Sequence, residues 1–480
     1  MKVLLVGPPA RKGRNDAVLP PLGLAYIAGA ARAAGHRVEL LDMNPERDPG
    51  ASLGAILRRF DPDVAGISAL TATLRSAWQA AEQVKRTSGR IRVVMGGVHP
   101  TLDPRQTLEN TSVDYAVLGE GEETFVELVR HIADPERLRH VPGIAFRDRG
   151  GIWVTAKRPH LATLDRLPMP AYDLFDPGRY FSPQCSSRRI AAMVTSRGCP
   201  FHCIFCDAHT VHGRRYRCHS PERVVREMLH LKHLYGVREV IFKDSEFTLD
   251  RGRTERICDS LRRCGTPVRW SCNARVGSID AALLGKMKAA GCRLIQFGVE
   301  SGNQSVLDRL GKGITVGQIE ETFLNARRAG IRTVANCMVG NPGETLENVL
   351  ETLSLVQAIR ADYLNVSFVT PYPGTEIHRM AVENGWLLEG HSPLDLRQDR
   401  CAMNATAMAT PELQTAMVRL QQAYYLRPWY VLRRALTLNP VEWRKNFNGA
   451  RELLAPLRPR ANTAGAGGRP EAGSGARADA

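Results

Sequence analysis

The sequence lacks any long apolar run, and this absence excludes the simplest kind of membrane protein. No stretch approaches the roughly 20 consecutive apolar residues that cross a bilayer as a helix. The first thirty residues also lack the pattern of a signal peptide, because the apolar run at 3–6 is short and is followed by Pro8, Pro9 and basic residues. We therefore expect a cytoplasmic protein without a membrane span.

A second absence concerns the distribution of charge. The formal net charge is +16 at pH 7, but the lysines and arginines are spread along the chain and are not interleaved with aromatic residues. Proteins that bind nucleic acids typically gather these residues in one patch or stripe. We therefore expect no nucleic-acid partner, and the charge fits an anionic cofactor or substrate, or simple solubility.

The eleven cysteines also lack the pattern of a secreted disulfide framework. Their number is odd, and Cys199, Cys203 and Cys206 lie together. This pattern indicates metal binding in a reducing compartment. Three closely spaced thiolates can ligate three irons of a [4Fe–4S] cluster and leave the fourth iron open, whereas an ordinary electron-transfer cluster takes four cysteines.

Two other interpretations of these cysteines stay open on the residues alone. One is a structural zinc site, for which the candidate fourth ligands are His202, His209 and His212. The other is a set of inert cysteines. Zinc ribbons usually pair two Cys-x-x-Cys elements, and the sequence has only one here, so we favour the iron–sulfur cluster.

The first part of the chain alternates short apolar runs with longer segments of helical period, which is the pattern of a doubly wound, Rossmann-like parallel sheet. The apolar runs lie at 3–6, 38–41, 64–67, 93–95 and 115–118. Each run is followed by small or turn-forming residues, among them Ser68, Gly96, Gly97 and Gly119. Ligands of such sheets bind beyond the carboxyl ends of the strands, so we expect a ligand at these loops.

A second series of βα units begins near Ile190. Six apolar strands are predicted at 190–196, 238–244, 267–273, 293–299, 331–339 and 363–369. The helical stretches between them are long enough to act as right-handed crossovers. We therefore expect a partial or full βα barrel, whose working face is the carboxyl end of its strands.

The sequence thus predicts an α/β protein with two folded domains and a helical carboxy-terminal region. The Rossmann-like domain is predicted at 1–140 and the barrel at 189–395, joined by a proline-rich connector with one small hairpin at 141–188. The helical region is predicted at 396–456. The stretch 457–480 is rich in Gly, Ala, Arg and Pro, so we expect a disordered tail.

The cysteine motif follows the first barrel strand, where the chain reads Thr-Ser-Arg-Gly-Cys-Pro-Phe-His-Cys-Ile-Phe-Cys. This CxxxCxxC motif, with Phe205 before its last cysteine, resembles the radical S-adenosylmethionine (SAM) superfamily. The resemblance implies that the cysteines hold a [4Fe–4S] cluster and that SAM chelates the open iron beside Phe205. It further implies that an external donor of the flavodoxin or ferredoxin type supplies one electron, which cleaves SAM to methionine and a 5′-deoxyadenosyl radical.

The same resemblance assigns charged residues at later strand ends to SAM. Asp244 and Glu246 are expected on the amino or ribose side, Arg275 at the carboxylate, and Glu300 at the ribose. A guanidinium suits a carboxylate because it can donate two parallel hydrogen bonds. The alternative for each residue is an ion pair at the barrel rim, since structural networks also hold perturbed charges.

The first domain is similar to that of the cobalamin-binding-domain radical SAM family in the order of its segments. They read Pro-Pro-Leu-Gly-Leu-Ala-Tyr-Ile-Ala from Pro20, Gly-Ile-Ser-Ala-Leu-Thr from Gly66, Met-Gly-Gly-Val-His-Pro-Thr from Met95, and Leu-Gly-Glu-Gly-Glu-Glu from Leu118. Together with the barrel, the likeness extends to residue 440 or so. It implies cobalamin as a cofactor beside Ser68, Gly96, Gly97, His99 and Gly119.

One departure from that family concerns cobalt. Cobalamin domains of this kind often supply a histidine from Asp-x-His-x-x-Gly after strand one, but here the loop from Gly7 reads Gly-Pro-Pro-Ala-Arg-Lys-Gly and offers no ligand. We interpret His99 as a loop-positioning or substrate residue rather than a cobalt ligand. Relatives without the histidine also bind cobalamin, so enzymes with and without bound cobalamin both stay open.

Two enzymatic interpretations follow for a polar small-molecule substrate. In the first, the 5′-deoxyadenosyl radical abstracts hydrogen and the substrate radical loses water, as in the diol dehydratase of aminoglycoside antibiotic biosynthesis that the family includes. In the second, the carbon radical captures a methyl group from methylcobalamin. The absent cobalt ligand and the compact chain favour the dehydratase. A cofactor-binding sensor module is the non-enzymatic interpretation, and the acidic residues expected to face SAM argue against it.

Four residues are candidates for the chemistry itself. Tyr216 and Cys218 lie just past the cluster loop, where a phenol or a thiol can return a hydrogen atom or relay an electron to a product radical. Glu246 and Glu344 are candidate general acids for the expulsion of hydroxide. The alternative for Tyr216 is simple packing against the loop.

Overall fold

The structure is a computed structural model that describes residues 1–10, 17–148, 150–265, 268–390, 392 and 396–435. Two regions covered by the sequence predictions lie outside these residues. One is the part of the first loop at 11–13, and the other is the stretch 436–480, which holds the end of the predicted helical region and the predicted tail.

The first domain is built on a seven-stranded sheet with the order β2-β1-β3-β4-β5-β6-β7. Its strands are β1 (Lys2–Gly7), β2 (Arg37–Asp42), β3 (Val64–Ser68), β4 (Arg92–Gly96), β5 (Tyr115–Val117), β6 (Ile144–Asp148) and β7 (Gly151–Val154). Its helices are α1 (Leu22–Ala33), α2 (Pro49–Phe60), α3 (Leu74–Thr87), α4 (Val98–Leu102), α5 (Pro104–Thr107), α6 (Gly121–His131) and α7 (Pro135–Leu138). Strands β1 to β5 pair in parallel, and β6 and β7 add an antiparallel edge.

Helices cover both faces of this sheet, which explains its continuous apolar strands. In β1, Leu4 and Val6 pack on one face with Leu53 of α2, while Val3 and Leu5 pack on the other face with Leu24 of α1. A parallel sheet covered on both faces needs apolar residues at successive positions rather than at alternate ones. The pattern at 3–6 therefore reports the doubly wound architecture directly.

The connector contributes the predicted hairpin, and the structure places it in the first sheet. Strand β6 pairs with β5, so the sheet continues past residue 140 to Val154. The domain boundary at residue 140, which rests on the proline-rich composition that follows it, stays a prediction. The rest of the connector packs between the domains, where the hydroxyl of buried Tyr172 donates to Glu227 of the barrel at 2.6 Å.

The second domain is an open barrel with six parallel strands in the order β15-β14-β13-β12-β11-β8. The strands of this domain are β8 (Ile190–Met193), β9 (Ser196–Arg197), β10 (Arg217–Cys218), β11 (Glu239–Phe242), β12 (Arg269–Ala274), β13 (Cys292–Glu300), β14 (Arg332–Val339) and β15 (Tyr363–Phe368). The helices are α8 (Ala208–His212), α9 (Pro221–Tyr235), α10 (Arg251–Arg263), α11 (Ala281–Ala289), α12 (Gln304–Arg309), α13 (Val316–Arg328), α14 (Leu346–Ala358), α15 (Glu376–Glu383), α16 (Thr410–Tyr425) and α17 (Pro428–Ala435). Strands β9 and β10 form a separate antiparallel pair.

Alternate residues of each barrel strand face the outer helices. In β12, for example, Trp270, Cys272 and Ala274 join the large apolar core with residues of α9 to α14. The intervening residues face the inside of the barrel, which we call the lumen. The predicted six-stranded barrel is thus a partial barrel, with β8 and β15 at its two edges.

The helices of the carboxy-terminal region begin later than predicted. Residues 396–409 run as loops because polar side chains such as Asn404 and Thr406 hydrogen-bond to nearby backbone groups instead of continuing a helix. Helix α16 then packs on the outer layer, and the hydroxyl of Tyr425 donates to the carbonyl of Leu364 at 2.6 Å. Among the described residues, no helix combines the length and the apolar composition of a membrane span.

Candidate active site

The cluster loop runs from Gly198 to Cys206 and lies at the carboxyl end of β8. Gly198 has φ +85°, and an added Cβ would lie 2.1 Å from the carbonyl oxygen of Arg215, so only glycine fits there. The amide of Ile204 donates to the carbonyl of Leu310 at 3.1 Å, and the amide of Cys199 donates to the carbonyl of Gly213 at 3.3 Å. These contacts hold the backbone of the cluster loop against its neighbours.

Two cations lie against this loop. The guanidinium of Arg275 stands 3.9 Å from the centre of the Phe201 ring and 4.0 Å from the sulfur of Cys203. The ammonium of Lys312 lies 6.0 Å from the centre of the Phe205 ring. Positive charge next to the cysteines favours thiolates, so the surroundings fit an iron–sulfur cluster held by Cys199, Cys203 and Cys206.

The cysteines themselves are partly buried free thiols. Burial raises the pKa of Cys206 to about 11 and also raises the pKa of Cys199. Metal coordination, rather than intrinsic acidity, would therefore drive the deprotonation of Cys199 and Cys206.

The zinc alternative gains no support from the side-chain positions. In the part of the chain that the structure describes, no three His, Cys, Asp or Glu side chains surround a single point as ligands of one ion would. The cluster places a different demand on the loop, because each cysteine ligates its own iron.

Two carboxylates predicted to bind SAM lie just beyond β11. Asp244 is buried and accepts hydrogen bonds from the Thr195 amide at 2.6 Å and from the Ser196 hydroxyl at 2.8 Å, so it fixes the chain that enters the cluster loop. Glu246 accepts from the Thr248 hydroxyl at 2.5 Å. Burial raises the pKa of both carboxyl groups. Their roles toward SAM stay predictions.

Glu300 has a strained backbone and a partner that sequence reasoning missed. Its φ is +64°, which is unusual for a residue with a side chain, and it follows a bulge in β13. The Lys312 ammonium donates to its carboxylate at 2.7 Å, and both side chains are buried. Burial alone would lower the pKa of Lys312, but Glu300 outweighs this effect and raises it. Lys312 thus belongs to the site, and the Gly-Lys-Gly sequence around it was the available signal.

The loops predicted to face cobalamin meet at the carboxyl edge of the first sheet. Ser68 and Gly96 are paired in register, and Gly97 has φ +118°. The amide of Gly119 donates to the hydroxyl of Thr101 at 2.8 Å, which joins the loops after β4 and β5. This edge therefore presents backbone rather than bulky side chains, which suits a large cofactor.

His99 lies fully buried at the same edge. Its Nδ1 is 3.3 Å from the Thr71 hydroxyl, and its Nε2 has no hydrogen-bond partner among the described residues. A buried nitrogen without a protein partner fits contact with a bound molecule. Burial lowers the pKa of His99, so the imidazole is neutral at pH 7. Its role in positioning the loop or the substrate stays a prediction.

A buried ionic network joins the two domains beside these loops. Arg197, which directly precedes the cluster loop, pairs with Glu122, and Arg217 pairs with Glu120 at 2.7 Å. Hydrogen bonds from Arg217 and His212 outweigh the effect of burial and hold the pKa of Glu120 well below its usual range. The segment from Leu118 and the cluster motif each stand out in the sequence. Their pairing could not be predicted, because the ion-paired residues are far apart in the chain.

The remaining catalytic candidates lie in different surroundings. Tyr216 accepts a hydrogen bond from buried Arg253 at 3.4 Å, and burial raises the pKa of Tyr216 to about 12. Burial also raises the pKa of Cys218, so both groups keep their protons at pH 7. Glu344 is fully buried and accepts from the amide of Gly340 at 2.7 Å and from the side chain of Asn341 at 2.8 Å, which holds the turn after β14. Its role as an acid stays a prediction.

The fold and the site together define a radical SAM enzyme with a cobalamin-binding domain ahead of its barrel. Residues 15–129 match the family model of the B12 binding domain, and residues 193–356 match that of the radical SAM superfamily. The chain belongs to the radical SAM superfamily, in the group that carries a B12-binding domain. The predicted family and fold class are thereby confirmed, and the cofactors of this group are a [4Fe–4S] cluster, SAM and cobalamin.

Individual relatives span most of the chain. An uncharacterized methyltransferase of Pyrococcus horikoshii is 35% identical over 392 residues, which cover 81% of this chain and 84% of the relative. The anaerobic magnesium-protoporphyrin IX monomethyl ester cyclase of Cereibacter sphaeroides is 32% identical over 388 residues, which cover 78% of this chain and 63% of the relative. The structure of the cobalamin-dependent SAM radical enzyme OxsB, with aqua-cobalamin and SAM bound, superimposes with a TM-score of 0.75 at 18% identity and covers 94% of this chain and 70% of that chain. The last similarity supports the shared fold.

Proposed function

We propose that this enzyme is a cobalamin-dependent radical SAM methyltransferase that acts on an unactivated carbon of a polar small molecule. The carrying observation is the buried network of Arg197, Arg217, Glu120 and Glu122, which holds the cobalamin-side loops against the start of the cluster loop. A second contact lies nearby, because Leu102 of α4 packs beside Gly374 in the turn that follows β15. A radical source and a methyl source placed at one barrel mouth suit methyl transfer.

The similarity to the uncharacterized methyltransferase of Pyrococcus horikoshii supports methyl transfer over the dehydration that the sequence alone favoured. The absent cobalt ligand, which had favoured dehydration, carries less weight once the first domain matches a B12-binding family.

The residues of the chain have separate parts in this reaction. When bound, the cluster and SAM supply the radical that abstracts hydrogen, and cobalamin supplies the methyl group. Arg275 is placed to pair with the SAM carboxylate, because its guanidinium lies against the cluster loop and makes no ion pair with a described residue. We expect the buried network between the domains to help exclude water from the barrel mouth, which would protect a reactive radical from side reactions.

Radical dehydration of a sugar diol, as in aminoglycoside-type antibiotic biosynthesis, is the second candidate. Tyr216 and Cys218 favour it, because both groups are protonated at pH 7 and a reductive outcome needs a hydrogen-atom or electron donor. The donor of the initiating electron, which we place among flavodoxins or ferredoxins, is common to both candidates.

The experiment that separates the candidates is mass spectrometry of anaerobic turnover with and without methylcobalamin. Methyl transfer requires cobalamin, forms S-adenosylhomocysteine as well as 5′-deoxyadenosine, and yields a product heavier by one methyl group. A product lighter by one water, formed equally well without cobalamin, would replace the proposal with the dehydratase.

A further inference from the structure

Lys243 is a cation inside the barrel that the proposed reaction does not use. It directly follows β11, and its amide donates to the carbonyl of Met193 at 2.8 Å, so it continues the strand by one residue. Val240 and Phe242 face the outer helices, whereas Ile241 packs on the opposite face against Ile190. Side chains alternate along a strand, so Lys243 lies on the lumen face with Ile241.

Lys243 combines access to solvent with dense protein surroundings. Its side chain is accessible to solvent, yet the surrounding protein is dense enough that desolvation lowers its pKa. No described residue makes an ion pair or a side-chain hydrogen bond with its ammonium. Desolvation alone lowers this pKa, with no contribution from a neighbouring carboxylate. An ammonium of this kind is left available for a ligand.

Carboxamide side chains continue from Lys243 along the lumen. The side chain of Asn273 donates to the carbonyl of Asp244 at 2.9 Å, which places it next to the end of β11. Asn273 is in register with Gln296 on β13. Asn336 on β14 is in register with Asn365 on β15, and the Asn365 side chain donates to it at 2.9 Å. We call Asn273, Gln296, Asn336 and Asn365 the amide band.

The amide band keeps unused hydrogen-bonding capacity. The carboxamide of Gln296 is half-buried and has no partner among the described residues, and Asn365 is exposed to the lumen. A carboxamide both donates and accepts, so such a band suits hydroxyl, amide or ring-nitrogen groups of a ligand. The outward-facing neighbours on the same strands, such as Phe297, Cys337 and Val366, are buried and apolar. The polarity is therefore confined to the lumen face.

We propose that the lumen binds the substrate by pairing a carboxylate or phosphate group with Lys243 and by hydrogen-bonding its remaining polar groups to the amide band. The substrate class is thus an anionic, polar small molecule. This inference rests on the proposed function only in placing the substrate in the barrel. It argues against a polycationic aminosugar, and so against the aminoglycoside-type dehydratase, because a free ammonium repels ammonium groups.

The test measures ligand affinity on the anaerobically reconstituted full-length enzyme with cluster, SAM and cobalamin bound. The probes share one skeleton and differ in charge: glucose, glucose 6-phosphate, glucuronate and glucosamine. Isothermal titration is expected to show tighter binding of at least one anion than of glucose, and weaker binding of glucosamine. The Lys243→Met variant is expected to lose about thirtyfold in affinity for that anion and little for glucose, because it removes one partner of a partly desolvated charge pair. Comparison of the phosphate and the carboxylate identifies which anion the site prefers.

Three further variants make the test specific. Lys243→Arg should retain the preference for the anion, and Lys157→Met, which removes an exposed lysine of the connector, should match the wild type. Asn365→Leu should weaken the binding of glucose and of the anions to a similar extent, because it removes an amide and no charge. Iron and cobalamin contents show whether each variant has folded.

The outcomes are decisive. Anions that bind no better than glucose, or a preference that survives Lys243→Met, would overturn the assignment. Failure of the proposed function would instead appear as a missing methylated product, which this affinity measurement does not involve.

Discussion

The two sheets of the molecule bury their faces differently. The first sheet has apolar layers on both faces, so nearly every residue of β1 is buried. The barrel sheet has one apolar layer, and on β15 the residues Tyr363, Asn365 and Ser367 alternate with buried neighbours and remain open toward the lumen. A sheet filled on both sides can hold a ligand only at its strand ends, whereas the barrel also has an interior. The first domain is thus suited to a cofactor, and the barrel is suited to a cofactor and a substrate together.

The largest expected effect tests the radical chemistry of the barrel independently of the first domain. Cys203→Ala is expected to abolish the reductive cleavage of SAM, because it removes one of the three predicted ligands of the cluster. The measurement is 5′-deoxyadenosine formed after anaerobic reduction. Cys264→Ala, at an exposed cysteine outside the cluster loop, is the matched control and should retain the activity. Unchanged production in Cys203→Ala would remove the cluster assignment.

A second variant tests the first domain independently of the barrel, at the carboxyl edge of the first sheet. Gly97 has φ +118° and ψ −163°, and an added Cβ would lie 2.7 Å from the carbonyl oxygen of Ala69. Gly97→Val is expected to lower bound cobalamin by about tenfold, since this conformation is nearly restricted to glycine. SAM cleavage without substrate should persist. Gly89→Ala meets no atom within 4 Å and is the control. If Gly97→Val retained cobalamin at the wild-type level, these loops would not be its site.

A third change tests what joins the two regions. Arg197→Met leaves Glu122 buried without its partner, and such a loss costs about 3 kcal/mol. The denaturation midpoint of the holoenzyme, followed by intrinsic fluorescence, should fall accordingly. Arg90→Met removes an exposed pair with Asp61 and should leave the midpoint in place. Equal effects of the two variants would mean that the interface does not depend on the network.

The smallest effect concerns pH. Burial lowers the pKa of His219, beside the connector, to about 4 from 6.5, so the folded state binds this proton less readily than the unfolded state. The contribution of neutral His219 to the free energy of unfolding is complete above pH 6.5 and is lost as the pH falls toward 4. The free energy of unfolding decreases by about 2 kcal/mol between pH 6.5 and about pH 5 for this reason. His219→Gln should flatten the decline in unfolding free energy over this range, and exposed His140→Gln should not. Parallel pH profiles for His219→Gln and the wild type would contradict this account.

Features set by local pattern could be predicted from the sequence. The ends of the six barrel strands lie within three residues of the predicted ends, because apolar runs flanked by turn residues are typical of strands. Local chemistry also marks helix starts, since Thr345 is the N-cap of α14 and its side chain accepts a hydrogen bond from the amide of Asn348. The family motifs likewise identified the domains that the comparisons confirmed.

Features set by contacts between distant residues could not be predicted. The left-handed backbone of Glu300 and its pairing with Lys312 depend on a bulge that no local signal marks. Asp244 was expected to face SAM, but its hydrogen bonds to Thr195 and Ser196 arise because β11 and β8 are neighbours in the sheet. Strand adjacency must be known before such partners can be named.

The segment that joins β5 to α6 takes part in two sets of contacts. Gly119 lies at the edge predicted to face cobalamin, while Glu120 and Glu122 pair with Arg217 and Arg197 on either side of the cluster motif. One short segment thus contacts both the loops of the first sheet and the strands beside the cluster loop. Exchanges of side chains inside the barrel leave these contacts between the two domains in place.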